Sequence, residues 1–253
     1  VGREGGGTAQ VVGGKGTPSG RFGGLHCAER PLIATKKKAS FLQLEKEVEL
    51  KPYVSRGGMK LEFALDSFSI QVKDEVCADV GASTGGFTDC LLKRGAARVY
   101  AVDVGYGLLD WGLRNDPRVV VLERTNARHL TWPNFLDRVR AGLAPAPTDR
   151  LDLATIDVSF IGLDKVLPAV SDLVRPGGRI LALVKPQFEA PKGSTQNGVV
   201  TDPAVREKAV DKVEGVARGL GLEVLGRSPC PVKGPAGNIE YWLHLRKPGS
   251  GGG

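Results

Sequence analysis

Four charged residues stand where apolar runs end: Lys60, Asp157, Lys185 and Glu240. Asp157 closes "LATIDVS" and Lys185 closes "ILALVKP", where Pro186 stops the run. If both runs are strands of one parallel sheet, the two side chains emerge at its carboxyl edge, the side on which such sheets bind ligands. Lys60 follows the Ser-Arg-Gly-Gly turn that opens an early helix, and Glu240 begins the last apolar run. A lysine acts as a general base near neutral pH only where its pKa falls. A fall of about three units from roughly 10.4 amounts to about 4 kcal/mol, which a second ammonium plus desolvation can supply. Two lysines with two acids to orient them offer that arrangement, although the acids oppose the fall. Solvated charge at a strand end is the plainer reading of any one of the four.

The same edge would carry the loop in "CADVGASTGGFTDCL", Cys77 to Leu91, which reads as strand, glycine turn and helix. Such a turn holds nucleotide-like ligands on backbone N–H groups. Gly81 to Gly86 has phosphate-loop spacing and Thr88 the right hydroxyl, but Phe87 replaces the phosphate-binding lysine. The dinucleotide fingerprint needs glycine where Ser83 stands, which weakens NAD without excluding it. S-adenosylmethionine carries an ammonium and a ribose diol in place of phosphates, and so needs carboxylates. Asp79 ends the first strand, placed for the amino group directly or through water, and Asp103 ends the second, 22 residues beyond Gly81, placed for the diol. The expected cofactor site is therefore Asp79, Gly81, Ala82, Ser83, Thr84, Gly85, Gly86, Phe87 and Asp103. Thr125 and Asn126, after the third strand, join it toward adenine. Turn capping is the competing role for the two aspartates, Thr125 and Asn126.

Positioning these residues takes a sheet. From about residue 53, short β-branched runs alternate with helical stretches, as in a parallel sheet covered on both faces. The runs are "EVCADVG", "RVYAVDVG", "VVVLER", "DLATIDVS", "RILALVKP", "LEVLGRS" and "IEYWLHLR". Before the sixth, Val205, Ala209, Val213, Val216 and Leu220 recur at helical spacing, and Gly221 offers a stop. No helix separates the last two runs, so they pair as an antiparallel hairpin. The expected fold is α/β: a Rossmann-like class I methyltransferase sheet of seven strands, mostly parallel, with an antiparallel ending.

Around it, 35 Lys and Arg against 28 Asp and Glu give +7, which suits a polyanionic partner. Four cysteines without a CxxC pair and three scattered histidines outline neither metal site nor disulfide framework. No apolar run approaches the roughly 20 residues of a membrane span, so a soluble protein without membrane partners is expected. The expected domains are a glycine-rich, largely disordered or degenerate segment at 1–50, a catalytic domain at 51–247 and a disordered tail at 248–253. The chain begins with Val, as a fragment or processed product would, and carries no clear targeting signal. A reducing compartment is expected, the cytoplasm or an organelle.

"KPYVSRGGMKLEFAL", "DVGASTGGFTDCLLKRGAARVYAVDVGYG", "ERTNAR", "IDVSFIGLDKVLPAV", "LVKPQFEA" and "VKGPAGNIEY" together resemble the TlyA, or haemolysin A, family of FtsJ-like ribosomal RNA 2′-O-methyltransferases. The six motifs keep the family's order over roughly residues 52 to 246. The resemblance implies S-adenosylmethionine as donor, ribose 2′-hydroxyls of ribosomal RNA or a ribosomal subunit as acceptor, and Lys60, Asp157, Lys185 and Glu240 as a Lys-Asp-Lys-Glu catalytic set. In that set Lys185 is expected to take the hydroxyl proton. Lys60 would tune Lys185 and position the 2′-oxygen, while Asp157 and Glu240 orient the lysines. Glu240 is placed there by the resemblance rather than by strand direction. Arg56, Lys51 and Lys36 to Lys38 are candidates for RNA phosphates, with a solvated face as the alternative.

Family members usually carry an S4 RNA-binding module before "YVSRGG", and the first segment here does not resemble an intact one. Leu108 stands where the family tends to have Gln, Gly162 where it tends to have Ser, and "SPCPVKG" carries an extra residue. "PKGSTQNGVVTDP" forms a polar loop able to close over a substrate. Two rival functions follow. One is a non-catalytic RNA-binding or ribosome-assembly protein on a methyltransferase fold; the other is an NAD-dependent oxidoreductase.

Overall fold

The computed structural model describes residues 52–142, 144 and 146–249. Lys51, the "KKK" run, the segment before them and residues 250–253 of the tail lie outside the described residues. The first helix, α1 (Arg56–Ser67), leads into β1 (Val76–Val80), α2 (Gly86–Lys93), β2 (Arg98–Val102), α3 (Trp111–Arg114) and β3 (Val119–Leu122). The second half runs α4 (Trp132–Ala141), β4 (Leu151–Ile156), α5 (Leu167–Leu173), β5 (Val174–Val184), α6 (Pro186–Glu189), α7 (Pro203–Gly219), β6 (Glu223–Pro229) and β7 (Tyr241–Arg246). Short 3₁₀ turns follow β3 and β4 at Ala127–His129 and Leu163–Lys165.

The seven strands pair in the order β3-β2-β1-β4-β5-β7-β6. β1 to β5 are parallel, whereas β7 runs antiparallel to both β5 and β6. Strand order reverses between β1 and β4, so the crevice of the fold opens where those two strands end, at Gly81 and Asp157. β1, β2 and β4 read as near-continuous apolar runs because both their faces are covered. On one face Phe135 and Val139 of α4, Leu167 and Val170 of α5, and Val210 and Val213 of α7 pack together. On the other, Leu61 and Leu65 of α1 and Cys90 and Leu91 of α2 enclose Trp242.

Local signals set the helix ends. Ser55 caps α1 by accepting from the Gly57 N–H, and Asp202 caps α7 with Pro203 at its first position. Two expectations need correction. Gly57 and Gly58 lie inside α1 rather than in a turn before it, so Lys60 sits in the second turn of the helix. Leu220 does not join the buried stripe of α7, which is Ala209, Val210, Val213 and Ala217. Leu220 is instead the exposed C-cap, and Gly221 at φ +76° ends the helix so that Leu222 returns to the core.

Candidate active site

The loop after β1 is held against the ends of both neighbouring strands. The Gly81 and Ala82 N–H groups donate to the Val102 carbonyl at 2.8 and 3.2 Å. Gly81 adopts φ +89°, and a Cβ there would lie 2.5 Å from the Asp157 carbonyl oxygen. Glycine is thus required both by conformation and by the approach of the loop to Asp157. Ser83 takes φ +50° in spite of its side chain, and its N–H donates to Asp103 Oδ2 at 2.8 Å. Gly85 caps α2 in the left-handed region, which aims the helix N-terminus along the loop.

The acids behind this loop differ. Asp103 Oδ1 accepts from the Gly105 N–H at 2.7 Å, so each oxygen already holds one backbone donor. A carboxylate has about four acceptor sites, which leaves capacity for a diol. Asp79 is buried at the end of β1, and its Oδ2 accepts from both the Thr88 N–H (2.9 Å) and Oγ1–H (2.7 Å). Burial pushes its carboxyl up to about 7, opposed by the Thr88 bonds and aided by the charges of Asp157 and Asp103.

Two cavities open at this edge. The larger, of about 470 Å³, runs from Gly81 and Ser83 past Asp103 to Thr125 and Asn126, with apolar walls from Val102, Leu108, Ile161 and Val166. The smaller, of about 220 Å³, lies between α1 and the loop and is lined by Ser55, Arg56, Lys60, Ala82, Thr84, Gly86, Phe87 and Pro235. Gly81, Ser83 and Asp157 line both. Asp79 and Gly85 line neither: Asp79 is occupied in tying α2 to β1, and Gly85 packs against Leu109 and Leu113. Thr125 and Asn126 make turn bonds, and Thr125 Oγ1 also accepts from Arg138 Nη1 at 3.3 Å. Thr125 Oγ1 donates to the Glu123 carbonyl at 3.0 Å, and Asn126 Oδ1 accepts from the Arg128 N–H at 3.0 Å.

The structure brings the four charged residues together as two ion pairs. Lys60 Nζ lies 2.6 Å from Glu240 Oε2, both buried, across 180 residues of sequence. Lys185 Nζ lies 2.6 Å from Asp157 Oδ1, and its hydrogen bond goes to Ser159 Oγ at 2.9 Å. Asp157 Oδ1 therefore has a charge partner without a hydrogen bond. Glu240 and Lys185 line neither cavity, whereas Lys60 and Asp157 line the smaller one. Arg56 is exposed at its rim.

Sequence reasoning missed Ser159, which stands two residues past Asp157 inside "IDVSFIG". It also missed Pro235, which reaches the cavity from the glycine-rich turn before Glu240. The first had a signal, a hydroxyl beside a strand-end acid. The second had none.

A seven-stranded sheet with its sixth and seventh strands antiparallel, a glycine loop at the reversal point and an acid ending β2 define a class I methyltransferase fold. The FtsJ-like methyltransferase model matches residues 53–247, and the chain belongs to that family. Among relatives, it is 51% identical over 195 residues to the 16S/23S rRNA (cytidine-2′-O)-methyltransferase TlyA of Mycobacterium tuberculosis, covering 77% of this chain and 68% of that one. It is 41% identical over 194 residues to Hemolysin A of Brachyspira hyodysenteriae, 76% of each chain. A solved Lactococcus lactis structure, provisionally described as a hemolysin, superposes with a TM-score of 0.73 at 43% identity, covering 79% of this chain and 91% of that one. Among the described residues no helix is long and apolar enough to cross a membrane.

Proposed function

We propose that this chain methylates ribose 2′-hydroxyls of ribosomal RNA, with S-adenosylmethionine as donor. The observation that carries this reading is the wall shared by the two cavities at Gly81, Ser83 and Asp157, with both lysine–carboxylate pairs gathered beside it. The larger cavity suits an adenosyl group, with apolar walls for the base and Asp103 for the diol. Asp79, one layer behind, acts on the amino group through water or by holding the loop. The donor supplies a sulfonium methyl, which needs an oriented oxygen nucleophile and no phosphate cradle.

The acceptor ribose enters the smaller cavity from the Arg56 side, with Arg56 on a flanking phosphate. Lys60, held by buried Glu240, donates to the 2′-oxygen and fixes its line of approach. Lys185, which lines neither cavity, takes the hydroxyl proton on Nζ by way of one water as the oxygen–methyl bond forms and the sulfonium–methyl bond breaks, leaving S-adenosylhomocysteine. Asp157 and Ser159 hold that nitrogen in place. Residues 51–247 form the methyltransferase domain in this reading, and the reaction takes place wherever ribosomal RNA is found, in the cytoplasm or an organelle. A cytidine in an intact subunit is the first acceptor to examine, after the TlyA relative.

Incubating the protein with methyl-labelled S-adenosylmethionine and either subunits or naked ribosomal RNA, then mapping ribose methylation, tests this directly. Label at a 2′-oxygen is expected. Folded, donor-binding protein that labels no RNA would refute it.

A further inference from the structure

Asp157 and Ser159 stand on the loop after β4, while Lys185 begins the turn after β5. The contacts of Lys185 with Asp157 and Ser159 tie the two loops through side chains only and leave the backbone of the β4 loop without a partner from the β5 turn. One buried residue joins them. Glu189 ends α6, four residues beyond Lys185, and its side chain is 1% exposed. Its Oε1 accepts from the Leu163 N–H at 2.6 Å, at the start of the 3₁₀ turn that ends the Asp157 loop. Its Oε2 accepts from Lys212 Nζ of α7 at 3.0 Å, and Lys212 also donates to the Glu189 carbonyl at 3.2 Å.

A buried ion pair is weak evidence for stability, since an apolar group of similar volume often serves as well. What such a group cannot do is accept the Leu163 N–H, a donor at a helix start with no partner inside the turn. Burial pushes the Glu189 carboxyl up, while the Leu163 and Lys212 bonds oppose it. The loop also fits closely here. A Cβ on Gly162 would lie 2.5 Å from Asp164 Oδ1 and 3.3 Å from Glu189 Oε2, although φ at Gly162 is an ordinary −75°. Both neighbours are ends of acidic side chains, so the position brings the loop close to the acids without requiring glycine, in keeping with the serine the family tends to have there. Phe160, two residues before Gly162, and Phe188, one before Glu189, touch across the same seam with ring centres 5.2 Å apart.

We propose that Glu189 is a positioning residue for methyl transfer: by clamping the Leu163 N–H it fixes the Asp157–Ser159 loop against the turn that carries Lys185. The proposal rests on the reading of Lys185 as the base. A misplacement of about 1 Å at a reacting centre costs on the order of 100-fold in rate, so the clamp should act on kcat far more than on RNA binding.

The test measures kcat and KM for ribosomal RNA, with thermal unfolding, in Glu189→Ala, Glu189→Gln and Glu189→Asp of the full chain. Glu189→Ala should lose roughly 10- to 100-fold in kcat, with KM for RNA within about twofold. Glu189→Gln, which keeps an acceptor for Leu163, should recover most of that loss. Glu189→Asp keeps the charge but falls short of Leu163, and should be slow while folded; it decides the matter if the alanine variant does not fold. Wild-type kcat in folded Glu189→Ala or Glu189→Asp, or Glu189→Gln as slow as Glu189→Ala, would overturn the proposal. Lys185→Ala run alongside separates the two readings. Turnover kept there refutes the base assignment, whereas turnover lost there but kept in Glu189→Ala refutes only the clamp.

Discussion

β4 and β5 lie side by side and carry an aspartate–cation pair at each end. At the carboxyl end Asp157 faces Lys185 at 2.6 Å. At the amino end Asp152 accepts from Arg175 Nε at 2.7 Å, and a second pair, Glu75 with Arg179, stands beside it. By charge and distance the two ends are alike. They differ in what else each group does. Asp152 also accepts from the Val76 N–H at 2.8 Å, and Arg179 donates to the Gln71 carbonyl at 3.1 Å, so this end fastens β1 and its approach to the sheet. Its cations are arginines, which do not give up a proton. At the carboxyl end the cation is a lysine, and its aspartate lines both cavities beneath the glycine loop. A charge pair at a strand end is thus structural or chemical according to the cation's type and the space around it.

The largest test of this contrast replaces one end by the chemistry of the other. Lys185→Arg keeps a cation beside Asp157 yet cannot serve as a base, so kcat should fall by about two to four orders of magnitude, as in Lys185→Ala. Donor binding, measured by calorimetry, should persist in both. Appreciable turnover in the arginine variant would show that the amine acts only as a charge, and the two ends would then be chemically equivalent.

The second test uses pH, because each end penalises charge of its own sign. Asp79, near Asp157 and Asp103, is raised by burial from 3.8 to about 7. His244, buried near Arg179 and Arg246, is lowered by burial from 6.5 to about 4. Asp79 stabilises most fully below pH 4, and that stability is lost as pH rises through 7. His244 stabilises most fully above pH 6.5, and that stability is lost as pH falls through 4. Each effect is about 3–4 kcal/mol at its limit, so between pH 4 and 7 they oppose each other. Urea unfolding of Asp79→Asn should then show stability rising with pH across this window. His244→Phe should show it falling. Parallel slopes in the two variants would break the assignment.

A third, smaller effect concerns room. Gly81→Ala would place its Cβ against the Asp157 carbonyl at a positive φ, for an expected loss of about 2 kcal/mol in stability and weaker donor binding. Unchanged unfolding and unchanged donor titration would mean that the loop and Asp157 are not coupled through this contact.

Much of this architecture is readable in residue order, for reasons the two ends make plain. β1, β2 and β4 are apolar throughout because helices cover both faces, and Asp157 and Lys185 are visible as charges that end such runs. The hairpin of β6 and β7 follows from the missing helix between them. What residue order does not carry is partnership across long separations. Nothing near Lys60 announces Glu240, 180 residues away, and nothing near Glu189 announces the Leu163 N–H, because a backbone donor has no residue type. Asp79 matches the pattern of a ligand-binding acid, yet it is held by Thr88, nine residues on in the same motif. The division into two cavities with a common wall depends on how α1 docks on α2. That docking is set by contacts such as Gly86, where a Cβ would lie 2.2 Å from Ser55 Oγ.

The smallest expected effect lies at the amino end and is the control for the first. Arg175 is partly exposed and contacts Asp152 through a single nitrogen, so Arg175→Lys can keep the charge pair and should cost under about 1 kcal/mol, with kcat unchanged. Asp152→Ala removes more, because the Val76 N–H loses its acceptor at the start of β1, and about 1–2 kcal/mol is expected in urea unfolding. Turnover of the folded fraction should remain that of the wild type in both variants. β4 ends at Asp157, so loosening its first residues could in principle be felt at its last. The Asp157 N–H, however, donates to the Val80 carbonyl at 2.9 Å, and the register of β4 with β1 from Cys77 to Val80 stands between the two ends. A fall in kcat at full folding in Asp152→Ala would mean that the strand transmits displacement along its length. The carboxyl end would then owe its geometry to the amino end rather than to the loop and clamp around it.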